Sequence, residues 1–115
     1  MIIIESKAYK KTEKKVLKGK PRELEKLESI KNIMISYNNL HELMLSSFKN
    51  IYDIRHKHGD LKEIYSASLN GNIRLLFKPC GTYPYNEIEI IELEFRDIND
   101  KHYKGVRIWM ALEEY

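Results

Sequence analysis

This chain of 115 residues has a single cysteine, Cys80, and that scarcity excludes an internal disulfide. No set of cysteines and histidines has the spacing of a zinc site, so a reducing cytosol is the simplest compartment and no metal or cofactor is expected. Long apolar runs are missing too. The opening MIIIESKAYKK has four apolar residues before charge sets in, too few for a signal peptide or a membrane span, so a cytoplasmic protein with no membrane partner is expected. There is no internal repeat and no linker-like stretch, and the length fits one domain spanning residues 1–115.

A large net charge is also absent: the balance is +3 at pH 7, but it is unevenly distributed. Between Glu5 and Arg22 eight basic residues stand against two acidic ones. A segment of that kind suits contact with a polyanion, and it equally suits a solvated helix face. Hydrophobic residues at 43% and charged residues at 32% are those of an ordinary folded chain, which argues against disorder.

The best-signalled stretch is LKEIYSASLNGNIRLLFK, Leu61 to Lys78. Two runs of β-formers flank Asn70-Gly71, and that dipeptide tolerates the positive φ angles of a two-residue hairpin turn. Such a turn pairs Ala67 with Arg74 and Tyr65 with Leu76. Ile64, Ile73, Leu75 and Phe77, with Ser66 and Ser68, would then face the helices, and Tyr65, Ala67, Arg74 and Leu76 the other side. Arg74 is the unusual residue, a cation within an apolar strand.

Elsewhere, Ile2 to Glu5 reads as a short strand. The lysine-rich stretch from Ala8 to Lys18 is helix-compatible, and Gly19-Lys20-Pro21 punctuates it. A second amphipathic helix is expected from Pro21 to Ile35, where Leu24, Leu27 and Met34 recur at helical spacing. Leu40 to Phe48 is a short helical or irregular segment, Ile51 to Gly59 a loop, and Pro79 to Asn86 a turn-rich loop. Glu87 to Phe95 reads as a strand whose apolar phase switches, as a bulge or burial on both faces would require. Arg96 to Gly105 is polar, and Val106 to Tyr115 is a terminal strand or helix. Helices before strands indicate an α+β domain: an N-terminal helical hairpin packed on a mostly antiparallel sheet of about four strands, with the other face partly open.

HGDLKEIYSASLNGNIRLLFK (His58 to Lys78), the following EIEIIELEF (Glu87 to Phe95) and the late His102-Tyr103 step together resemble the RelE/ParE superfamily of toxins, particularly its HigB-like and RelE-like branches. The resemblance implies a RelE-like fold, a cognate antitoxin as partner, and cleavage of mRNA on the ribosome without a metal. In that chemistry a ribose 2′-OH attacks the adjacent phosphate, which needs a base, an acid and cations to hold the developing charge. Arg74 aligns with the family's arginine after the hairpin turn, and its permanent charge and planar donor fork suit the phosphate. Arg96 resembles a second phosphate-binding arginine, His102 would transfer a proton, and Tyr103 matches a late tyrosine that stacks or transfers a proton. Tyr65, Lys62, His58, Lys10 and Lys14 are candidate RNA contacts, and His56 lies close to them in sequence. RelE-like members carry lysines in the strand before the turn. Tyr65 and Ala67 stand at the matching positions here, so lysine-based proton transfer does not carry over.

Each candidate also has a plain structural reading. Arg74 would be an ion-pair partner of Glu92 or Glu94, and Arg96, Lys62, His58 and His56 solvated surface groups. A ParE-like inhibitor of DNA gyrase and a catalytically inactive RNA-binding module remain as alternative functions.

Overall fold

A computed structural model describes residues 1–100. His102, Tyr103 and the terminal element expected over Val106 to Tyr115 lie outside the described residues.

Strand β1 (Ile2–Glu5) is followed by helices α1 (Lys7–Val16), α2 (Pro21–Ser36), α3 (Leu40–Leu45) and α4 (Phe48–Ile51). Then come β2 (Arg55–His56), a 3-10 turn (Gly59–Leu61), β3 (Tyr65–Ser68), β4 (Arg74–Pro79) and β5 (Glu92–Asn99). The Ser6 hydroxyl caps α1 by accepting from the Tyr9 amide at 3.1 Å. Pro21 opens α2, where its missing N–H leaves no helical bond unmade. Asn39 caps α3 through the Glu42 amide at 2.9 Å.

The five strands form one sheet in the order β1-β5-β4-β3-β2. β1 runs parallel to β5, and the remaining pairs are antiparallel. The expected four strands become five because Arg55-His56, inside a stretch read as loop, pairs with Ser66 and Tyr65. A two-residue strand carries too little apolar periodicity to be recognised. The strand expected over Glu87 to Phe95 begins only at Glu92 and continues through Asn99. Ile88 and Ile91 are exposed, and the irregularity falls later: Leu76 pairs with Asp97 and Phe77 with Phe95, which leaves Arg96 as the extra residue of a bulge.

One face of the sheet carries Ile3, Leu93, Phe95, Ile98, Leu75, Phe77, Ala67 and Tyr65. These pack with Tyr9 and Val16 of α1, Leu27, Ile30 and Met34 of α2, and Leu40 and Leu43 of α3 in a single core. The Tyr9 ring meets Phe95 edge-on at 5.6 Å, fixing α1 over β5. Ile64 and Leu76 form a second small cluster on the opposite face, partly covered by Leu61 of the 3-10 turn.

The hairpin differs from expectation by one residue. Ser68 pairs with Arg74, Ala67 with Leu75, Ser66 with Leu76 and Tyr65 with Phe77. Residues Asn70, Gly71 and Asn72 form the connection, with the Leu69 and Asn70 amides both donating to the Ile73 carbonyl. The cause is the Asn70 side chain: its Oδ1 accepts from the amides of Asn72 at 2.7 Å and Ile73 at 2.8 Å. That side chain closes the turn, so Gly71 keeps a negative φ and no primed two-residue turn forms. Because strand faces alternate with period two, the one-residue shift moves Arg74 to the face of Ser66 and Ser68, and leaves Tyr65 and Ala67 against the core.

Candidate functional site

Arg74 opens β4, opposite Ser68 at the end of β3, on the sheet face turned away from the helix core. Its Nε donates to Ser66 Oγ at 3.1 Å and its Nη2 to the same oxygen at 2.9 Å. Nη2 also donates to the Asp53 carbonyl at 2.6 Å, and Nη1 to Asp53 Oδ2 at 3.1 Å. These four hydrogen bonds fix the guanidinium, with its side chain still 24% exposed. Asp53 turns the chain from α4 into β2 with φ 48°, a left-handed backbone that aspartate adopts more readily than most residues.

The same carboxylate reaches a second guanidinium: Arg55 Nε donates to Asp53 Oδ1 at 2.8 Å. Arg55 pairs with Ser66 and so lies on the same face of the sheet as Arg74. Hydrogen bonds first from Arg55 and then from Arg74 hold the Asp53 carboxyl below the ordinary aspartate value of 3.8. Two fixed cations share one anion, and the cluster keeps a net positive charge that attracts a phosphate. The ion pair expected between Arg74 and Glu92 or Glu94 is replaced by this one with Asp53.

The other candidates fall in different places. Arg96 is buried at the β5 bulge beside Glu94, with which it forms an ion pair. Lys62 and His58 flank the 3-10 turn, and Lys62 Nζ stands 5.4 Å from the centre of the Tyr83 ring. Tyr65 is buried on the helix side, where its hydroxyl donates to Glu87 Oε2 at 2.6 Å. Desolvation, then that bond, pushes its pKa far above the ordinary tyrosine value. Lys10 and Lys14 lie on α1, which covers the helix side of β5, so the fold does not bring them to the face of Arg74.

Sequence reasoning passed over Asp53, Arg55 and Ser66 as site residues. Asp53 and Arg55 sat in a stretch read as loop, and Ser66 was assigned to the wrong face by the two-residue turn. The usable signal was Asn70, an asparagine able to close a longer turn with its own side chain. A second group went unnoticed as well: the His56 ring stacks on Tyr65 at 4.4 Å and 5°, close to Tyr83 and Tyr85. Among the described residues no group of histidine, cysteine and carboxylate side chains is arranged to hold a metal ion.

A parallel β1 joined to an otherwise antiparallel sheet, with α1, α2 and α3 packed on one face, defines an α+β fold. Solved structures share it. YafQ from Escherichia coli strain BL21(DE3) superposes with a TM-score of 0.60 over 87% of this chain and 92% of that one, at 16% identity. A histidine-to-glutamine mutant of E. coli YafQ gives a TM-score of 0.57 with the same coverage and 17% identity. The likeness to YafQ is one of fold. No family model and no curated protein sequence matches the chain. No helix among the described residues is long and apolar enough to cross a membrane.

Proposed function

We propose that this chain is the toxin of a toxin–antitoxin pair and acts as a ribosome-dependent mRNA endoribonuclease through the sheet face that carries Arg74. The observation that carries the reading is Arg74, a partly exposed guanidinium pinned by Ser66 and Asp53 in a fold shared with YafQ, together with the sequence resemblance to RelE-like toxins. A scissile phosphate would take over from the Asp53 carboxylate on Arg74 Nη1 and on Arg55. Both guanidinium groups stay protonated throughout, so they stabilise the charge that builds as the ribose 2′-OH attacks.

In this reading His102 moves the proton, Tyr103 stacks on a base, and Arg96 holds a second phosphate. Lys62 and His58 contact the RNA at the edge of the sheet, and Lys10 and Lys14 contact ribosomal RNA from the helix side, where phosphate contacts position without specifying sequence. The strand positions on the face of Arg74 are Ser66 and Ser68, so hydroxyls stand beside the guanidinium. A cognate antitoxin would hold the protein inactive in the cytoplasm.

The test is incubation of purified protein with a reporter mRNA, with and without ribosomes, read by primer extension. Cleavage only on ribosomes supports the proposal. Inhibition of DNA gyrase without RNA cleavage would move the protein to a ParE-like function, and RNA binding without either effect would make it an inactive binding module.

A further inference from the structure

A pocket of about 370 Å³ opens on the helix side of the sheet, between α3, β2, β3 and the connection from β4 to β5, away from the face that carries Arg74. We propose that it is a binding site for one unpaired RNA nucleotide, with guanine preferred over uracil.

Its walls are aromatic. His56 lies flat on Tyr65 at 4.4 Å and 5°. Tyr83 and Tyr85 stand at 87° to each other with ring centres 5.6 Å apart, and lie 6.1 and 6.3 Å from His56. Tyr85 is tied down by its hydroxyl, which donates to the Glu63 carbonyl at 2.8 Å. Rings set at an angle leave a planar base one face to stack on and one edge to abut.

Charge decides the kind of ligand. Lys62 Nζ is 5.4 Å from the Tyr83 ring centre and Lys78 Nζ 5.6 Å from that of Tyr85. Cations already occupy these rings, which disfavours a quaternary ammonium ligand and favours one that brings its own phosphate. The edge reader is Glu87, whose Oε2 accepts the Tyr65 hydroxyl at 2.6 Å, so the carboxylate is fixed and offers only acceptors. Guanine presents two adjacent N–H donors on its Watson–Crick edge. Uracil presents one, flanked by carbonyl oxygens that a carboxylate repels. Recognition of a splayed-out base by stacking plus edge hydrogen bonds is the usual means of reading single-stranded RNA.

The experiment measures binding of fluorescein-labelled pentanucleotides, all-uridine or with one central guanosine, by polarisation and without ribosomes. Its outcome is therefore separate from the cleavage assay above. The guanosine-bearing pentamer should bind about tenfold tighter or better, and Glu87→Gln should abolish that ratio. Tyr83→Ala should weaken binding of the guanosine pentamer by about tenfold or more, whereas Tyr83→Phe should retain it, which separates ring stacking from loss of fold. Equal affinity for both pentamers, an intact preference in Glu87→Gln, or saturation of the tyrosine ring resonances by tetramethylammonium but not by guanosine monophosphate would overturn the proposal.

Discussion

Removing one hydroxyl, in Ser66→Ala, tests the placement of Arg74 directly. Ser66 is fully buried and its Oγ accepts from both Nε and Nη2 of Arg74, at 3.1 and 2.9 Å. A hydrogen bond to a charged group contributes about 1.5–3 kcal/mol net, and leaving a buried donor without its acceptor costs a similar amount. Arg74 is one-quarter exposed, so water recovers part of the loss. The expected destabilisation is about 1.5 kcal/mol, or a fall in Tm of about 5–8 °C for a domain of this size. The decisive number is the coupling in a double-mutant cycle of Ser66→Ala with Arg74→Met, followed by urea unfolding. A coupling of about 1 kcal/mol is expected, against less than about 0.5 kcal/mol between Arg74→Met and Ala67→Gly. The reverse pattern would mean that Ala67 faces Arg74, as a two-residue turn requires, and would refute the assignment of Arg74 to the face of Ser66.

The turn itself predicts a contrast. Gly71→Ala should leave stability unchanged or raise it by up to about 1 kcal/mol, because Gly71 has a negative φ and a methyl group there meets nothing within 4 Å. Asn70→Ala should cost about 1–2 kcal/mol in urea denaturation, since two amides and the Glu23 carboxylate lose their partner. Acid titration probes Asp53: its carboxyl is depressed in the folded state by Arg55 and Arg74, so its contribution is present above the ordinary value of 3.8 and is lost as pH falls below it. The stability difference between wild type and Asp53→Asn should therefore be constant near neutrality and shrink below pH 3.8, and a difference that persists at lower pH would contradict the ion-pair assignment.

The helix over Pro21–Ser36 was legible because a 3.6-residue period runs along it, and β4 (Arg74–Pro79) because β-formers follow a turn signal, whereas the two residues of β2 carry no period. The register was not legible, since Asn70-Gly71 satisfies two turn geometries and only the reach of the Asn70 side chain decides between them. That single residue carried the functional error with it. It exchanged Ser66 for Ala67 beside Arg74, and so hid the serine hydroxyl that holds the cation. Arg74 itself was recognisable as a charge in an apolar strand, but its clamp was not, because Asp53 lies 21 residues away and its left-handed backbone leaves no periodic trace. The pocket around His56 was invisible for a related reason. Tyr83 and Tyr85 sit in an irregular connection, and only the folded chain brings them to β2 and β3.

The central claim is that Arg74 acts on a phosphate, and single-turnover cleavage of a ribosome-bound mRNA by wild type and Arg74→Ala measures it most directly. Loss of one preorganised donor to a developing anionic charge lowers such a rate by about 10²–10³. A fall of that size in a variant that still unfolds cooperatively would agree with the account, and cleavage at the wild-type rate would contradict it.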